Sequence, residues 1–169
     1  MAIEKTPARL SHADYLALPE GRYDLIEGIL VMTPAPSRRH QYLVGTLFSA
    51  LNTFVRDTGC GHLYLAPLDV TLRAEDPAIV VQPDVLYVAR DGRATLTDMG
   101  VAGPPDLVIE VLSPSNLALD LVKKRALYEA HGVREYWIVM PEGDQVQVLR
   151  RGEAGFNRPA LLEAPDELE

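Results

Sequence analysis

The chain has 169 residues, 47% of them hydrophobic and 24% charged, and a formal net charge of −8. It is long enough for a sizeable core, too apolar to be disordered, and too acidic for a general nucleic-acid-coating surface. Cys60 is the only cysteine, which excludes an intrachain disulfide and a cysteine-rich zinc site, and no apolar run approaches membrane-spanning length.

Met1 to Pro7 lacks the apolar stretch of a signal peptide, so the cytoplasm is the expected compartment. No linker or repeat divides the chain. It reads as a single domain over 1–169, with an N-terminal helical segment at 1–21 and an acidic tail at 163–169 carrying Glu163, Asp166, Glu167 and Glu169. Leu10 to Leu18 predicts a short amphipathic helix capped by Ser11 and closed by Pro19, with His12 exposed. Arg22 to Met32 alternates around Glu27-Gly28 and predicts a β-hairpin, broken by Pro34 and Pro36. Ser37 then caps a helix running to about Thr58, with Leu43, Leu47, Ala50, Leu51 and Phe54 on its apolar side, and Gly59-Cys60-Gly61 stops it.

His62 to Leu72 reads as one strand interrupted by Pro67, and Ile79 to Ala89 as a second apolar run containing Pro83-Asp84. The pattern assigns no element to Asp91–Gly103. Leu107 to Leu112, bounded by Pro105 and Ser113-Pro114, has the composition of a buried strand. Ser115 or Asn116 caps a following helix that Gly132 ends; Arg134 to Met140 is a strand, Glu142-Gly143-Asp144 a turn, and Gln145 to Arg150 its hairpin partner. Strands and helices in this order predict an α/β fold, a mixed β-sheet flanked by helices.

Three residues stand out chemically. Glu110 lies inside the buried-strand pattern, where a carboxylate needs a partner or a metal; the alternative is an exposed strand face. At about 100° per residue, Leu117, Leu121, Lys124 and Tyr128 share one helical stripe, so Lys124 faces inward and Lys123 lies at the edge. Lys124 thus pairs with Glu110 or snorkels to water. Asp84 follows a proline that breaks the sheet pattern, either aimed inward at a bent strand or capping its end. Asp84 and Glu110 are 26 residues apart, enough for a return to an adjacent strand. Two carboxylates on neighbouring strands suit a hard divalent ion such as Mg²⁺, and a lysine beside them suits attack of water on a phosphodiester. Like charges held close are expected to raise the pKa of at least one carboxyl, so that Asp84→Asn melts higher than wild type without metal. No Gly-x-Ser-x-Gly elbow, P-loop or dinucleotide fingerprint is present.

These residues resemble a known group. Arg22-Tyr-Asp-Leu-Ile-Glu-Gly28, Pro34 to His40-Gln41, Gln82-Pro-Asp-Val85, Ile109-Glu-Val-Leu-Ser-Pro114, Asp120, Lys124, Tyr128 and Gly132-Val-Arg-Glu-Tyr-Trp-Ile-Val139 together are similar to the Uma family of restriction-endonuclease-like proteins, within the PD-(D/E)xK nuclease superfamily. The resemblance implies a restriction-endonuclease-like fold and an endonuclease that uses Mg²⁺ or Mn²⁺ to hydrolyse DNA phosphodiester bonds. It implies Asp84, Glu110 and the carbonyl of Val111 as metal ligands, and Lys124 as the catalytic lysine in place of the superfamily's lysine two residues after the second acid, where Leu112 stands. Asp24 and Glu27 are alternative auxiliary metal residues, and His40 is a further candidate. DNA is the implied partner. A homodimer is expected because cutting both strands of a duplex calls for two sites. The acidic surface supports an alternative, a catalytically silent nuclease-fold module that binds nucleic acid or protein.

Overall fold

The computed structural model describes residues 9–19, 21–32, 35–75, 78–113 and 119–163, with backbone alone for 119–121. Ser11 caps α1 (His12–Leu16) through a capping box with Asp14. His12 is half-buried rather than exposed. Strands β1 (Tyr23–Ile26) and β2 (Ile29–Met32) form the expected hairpin. Its turn, Glu27-Gly28, holds both residues at positive φ, 52° and 81°, the conformation that matches the twist of a two-residue hairpin.

Ser37 accepts a hydrogen bond from His40 N and opens α2 (Arg38–Thr58); Gly59, at φ 60°, closes it in the left-handed region. The buried stripe of α2 is not quite the expected one. Val44, Leu47, Phe48, Leu51 and Val55 turn inward, whereas Ala50 and Phe54 are exposed, so the stripe is centred on the Val44–Val55 row.

The expected strand His62–Leu72 is two strands, β3 (Gly61–Leu65) and β4 (Asp69–Arg73), and the run Ile79–Ala89 is likewise two, β5 (Ile79–Val81) and β6 (Val85–Ala89). Each proline breaks its ladder and lets the chain change sheets. β3 pairs with β6 and β4 with β5, so the two runs make one long bent hairpin whose halves belong to different sheets. One sheet has the order β2-β1-β5-β4-β8-β7, where β7 (Thr95–Thr97) and β8 (Gly100–Ala102) occupy the segment that the sequence pattern left unassigned. The other runs β12-β11-β10-β9-β6-β3, from β9 (Leu107–Val111), β10 (Glu135–Met140), β11 (Gln145–Gly152) and β12 (Gly155–Phe156), with β13 (Ala160–Glu163) also paired to β11. Both sheets are mixed: β4–β8 and β9–β10 are parallel, the other pairs antiparallel. The expected mixed sheet is thus two mixed sheets in one α/β fold.

A parallel β9–β10 pair needs a crossover. It includes a π-helical stretch, Leu119–Lys124, continuing as α3 (Arg125–His131), which Gly132 ends at φ 91°. The expected Ser115 or Asn116 cap, the side chains of Leu117, Asp120 and Leu121, and the acids beyond Glu163 lie outside the described residues. Three apolar clusters set the layers. α2 packs on one face of the second sheet through Val44, Val85, Ile109, Val111 and Val139. The opposite face meets α3 and the first sheet through Leu86, Val108, Tyr128, Tyr136, Val70 and Val81. α1 covers the first sheet through Tyr15, Leu25 and Val80.

The β1–β2 turn yields a test. A Cβ on Gly28 would lie 2.8 Å from Arg9 Cβ at a φ that L-residues rarely adopt. Gly28→Ala is expected to lower stability by about 1–2 kcal/mol, whereas Glu27→Asn should raise it by a few tenths of a kcal/mol, both read from urea denaturation.

Candidate active site

Buried polar side chains converge at the corner where the bent hairpin changes sheets. Asp24, His40, Gln82, Asp84, Glu110 and Lys124 are all at most 9% exposed. A fourth buried acid, Asp106, lies just before β9 and serves the fold: it accepts from Ala89 N at 2.8 Å and pairs with Arg134 at 3.2 Å.

Asp84 sits one residue before β6. Continuing the Val85↔Ile109 register by one residue sets it opposite Glu110 on the adjoining strand. Its Oδ2 accepts from the Val111 amide at 2.9 Å and lies 3.0 Å from His40 Nε2, on the first turn of α2. Its Oδ1 accepts from Arg22 Nη2 at 3.0 Å. Glu110 points to the side of the sheet that carries α3. Its Oε1 accepts from Lys124 Nζ at 2.9 Å and from Tyr128 Oη at 2.8 Å. Lys124 and Tyr128 are four residues apart, so both reach one oxygen from a single helical face. Lys123, one residue back, is exposed. The π-helical turn ends at Lys124, and the inward placement of this lysine therefore comes from a wider turn than the α-helical projection assumes.

Lys124 also joins the two sheets. Its Nζ lies 3.1 Å from Asp24 Oδ2 on β1, close enough for an ion pair but outside hydrogen-bond geometry, which leaves that oxygen without a hydrogen-bond partner. Asp24 Oδ1 accepts from Gln82 N at 2.8 Å, and Gln82 Nε2 donates to Asp69 Oδ1 at 2.7 Å, an oxygen that Tyr15 Oη also reaches at 2.9 Å. Of the alternative auxiliary acids, Asp24 is in the cluster. Glu27 is exposed on the hairpin turn, because the turn places it beyond the last paired residue of β1. His40 is in the cluster. Val111 contributes its amide to Asp84. Arg22 and Gln82 are cluster members that patterning did not single out; their signal was position alone, beside the hairpin and beside Pro83-Asp84.

At Asp84 the electrostatics run opposite to a raised carboxyl. Burial pushes the Asp84 carboxyl up more than any single neighbour lowers it. His40, the Val111 amide and Arg22 together outweigh burial and hold it below its ordinary value of 3.8. Like-charge repulsion does not dominate at Asp84, because Arg22 and His40 face it while Lys124 is shared by Glu110 and Asp24. Burial, reinforced by the charge of Glu110, pushes Tyr128 well above 10, so Tyr128 stays a proton donor to Glu110 at neutral pH.

The donor set suits a hard divalent ion in kind, since its oxygens are carboxylates and the chain's one thiol is elsewhere. Among the described residues no group of three or more His, Cys, Asp or Glu side chains is disposed to hold a metal. An ion that fits here is one that takes one or two carboxylates and keeps its waters, as Mg²⁺ does.

The match to known proteins covers nearly all of this architecture. The Uma2 family model, described as "Putative restriction endonuclease", matches residues 12–169. The chain belongs to the Uma2 family. Its fold is shared with a crystal structure described as a putative nuclease belonging to DUF820 from Anabaena variabilis ATCC 29413, at TM-score 0.75 and 22% identity over 95% of this chain and 88% of that one. No curated protein matches. Among the described residues no helix is long and apolar enough to cross a membrane.

Two outcomes follow from the ion pairs. Because the folded-state pKa of Asp84 is depressed, its contribution is present above the unfolded value and is lost as pH falls through the folded one. Asp84→Asn is therefore expected to melt lower than wild type at neutral pH, by the equivalent of about 3 kcal/mol, with the gap closing as pH drops below 3.8; thermal melts across pH measure it. Lys124→Ala, which strands two buried acids, should cost about 3–5 kcal/mol in urea denaturation, against less than about 0.5 kcal/mol for Lys123→Ala.

Proposed function

We propose that the protein is a Mg²⁺- or Mn²⁺-dependent endonuclease that hydrolyses DNA phosphodiester bonds at the Asp84–Glu110–Lys124 cluster, in the manner of the PD-(D/E)xK nucleases. The observation that carries this reading is the pairing of Lys124 Nζ with Glu110 Oε1 at 2.9 Å, beside Asp84 in the facing register position. Family membership and the nuclease-like fold support it.

Asp84 and Glu110 would hold the ion, and the Val111 carbonyl is a candidate third ligand. When bound, the ion supplies Lewis acidity toward the phosphate and lowers the pKa of water. Tyr128 fixes the orientation of Glu110 through its hydroxyl. Lys124 holds its charge beside the reacting phosphate, orients the attacking water and offsets the negative charge that builds on the phosphoryl oxygens. His40 and the Val111 amide keep Asp84 ionised and aimed. The burial of Asp24 favours a supporting role, as the second carboxylate that holds Lys124 in place.

One feature favours the silent binding module. Asp84, Glu110 and Asp24 are already compensated by Arg22, Lys124 and the His40 imidazole, so the cluster is coherent as a purely structural ion network. An assay separates the two. Supercoiled plasmid and single-stranded DNA should be cut with Mg²⁺ or Mn²⁺ and left intact with EDTA. Glu110→Gln, which keeps the shape of the side chain, should cut at least about a hundredfold more slowly. Cleavage unaffected by Glu110→Gln would overturn the assignment of the chemistry to this cluster, and DNA binding with no cleavage under any divalent ion would establish the silent module.

A further inference from the structure

We propose that Arg22 is the residue that takes a phosphate of the substrate strand, and that it is freed to do so when a divalent ion displaces it from Asp84. This inference rests on the nuclease reading and adds to it a substrate contact and a coupling between metal and DNA.

The two oxygens of Asp84 are used differently. Oδ2 is held from two sides, by the Val111 amide at 2.9 Å and by His40 Nε2 at 3.0 Å. Both donors are anchored, one in the β9 backbone and one in the first turn of α2. Oδ1 faces Arg22, a long side chain just before β1. Oδ1 is therefore the oxygen that can be yielded to an incoming cation. A divalent ion and a guanidinium cannot share it at contact distance, because like charges on one acceptor in a poorly solvated site repel strongly. Charge balance points the same way. Three buried acids face the permanent cations Arg22 and Lys124. Adding a divalent ion while both remain would leave an excess of positive charge, and expelling Arg22 reduces it.

Arg22 is also the group best placed to leave. Its side chain is 21% exposed, against 7% for Asp84 and 5% for both Lys124 and Glu110, so it forms the outer rim of the cluster. Its present bond is a single contact through Nη2, and Nε is buried with no hydrogen-bond partner. An arginine held by one arm, with an unsatisfied donor on the same fork, is not in its preferred arrangement. The guanidinium fork matches two oxygens of one phosphate, which would satisfy donors that Asp84 leaves idle. An arginine displaced from the metal seat and still tethered at β1 stays within reach of a phosphate approaching that metal. Coupling is then mutual: DNA that captures Arg22 clears Asp84 for the ion, and the ion releases Arg22 for DNA.

Calorimetry on the full chain tests this, with Mn²⁺ alone and with a short duplex carrying cleavage-resistant phosphorothioate linkages. Arg22→Met is expected to bind Mn²⁺ about tenfold more tightly than wild type without DNA. Wild type should gain about tenfold in Mn²⁺ affinity when the duplex is present, and Arg22→Met should gain nothing. Arg22→Lys keeps a cation on Asp84 but lacks the fork. It should match wild type with Mn²⁺ alone and lose most of the gain from DNA, and it carries the test if Arg22→Met does not fold. Equal Mn²⁺ affinity in wild type and Arg22→Met, or an undiminished DNA-induced gain in Arg22→Lys, overturns the proposal. Asp84→Asn separates the two levels. If its Mn²⁺ binding equals that of wild type, Asp84 is not a metal ligand and the metal reading falls along with this one. If binding depends on Asp84 but not on Arg22, only the present inference falls.

Discussion

Three carboxylates, Asp24, Asp84 and Glu110, are withdrawn from water at one corner of the molecule, and the arrangement around them answers that cost. An isolated buried carboxylate is strongly disfavoured, so each acid needs a cation or several donors with good geometry. Lys124 meets this need for two acids at once, because its ammonium lies between Glu110 on one sheet and Asp24 on the other. Asp84 draws on three separate parts of the chain: Arg22 ahead of β1, His40 at the start of α2, and the amide of Val111 on β9. The cluster therefore links both sheets and two helices, and the chemistry proposed for it uses groups whose positions are already required for the fold to tolerate them.

The backbone device that makes this possible is the bent hairpin. Pro67 and Pro83 interrupt two otherwise continuous β runs, and at each interruption the chain passes from one sheet to the other. Asp84 sits at the second of these corners. Backbone groups that leave the ladder need other partners: Gln82 N donates to Asp24, and Ala66 N to the carbonyl of Asp84. The corner is thus stitched by the same side chains that form the site. The network continues outward through Gln82 to Asp69 and Tyr15, which connects the cluster to α1.

Local signals were legible wherever short-range chemistry decides the outcome. Ser11 and Ser37 cap their helices, Gly59 and Gly132 end theirs, and Glu27-Gly28 turns a hairpin, because each depends on a few adjacent residues. The inward lysine was readable because a charged residue stood in an apolar helical stripe, and Glu110 because it stood in an apolar strand. The failures share a cause. His62–Leu72 and Ile79–Ala89 each look like one strand, since residue pattern records pairing along a strand and not which sheet the strand joins. β7 and β13 are short and exposed and β12 has only two residues, so they lack the apolar periodicity that marks a strand. At Asp84 the carboxyl is lowered rather than raised, because repulsion was weighed without the partners: Arg22 and His40 precede Asp84 by 62 and 44 residues, and nothing local announces that they meet it.

By itself, the sequence determined most element types, the α/β class and the resemblance to a nuclease family, and it singled out Asp84, Glu110 and Lys124 as candidates. Those features are written in local composition, spacing and motif. Only the tertiary structure decided that Asp24 and not Glu27 enters the cluster, that Val111 presents its amide to Asp84, that Lys124 serves two sheets, and that Arg22 occupies Asp84 Oδ1. Each of these depends on which distant strands and helices close over the same corner. Burial then converts that proximity into strong charge coupling, a property of the folded volume that no stretch of chain carries alone.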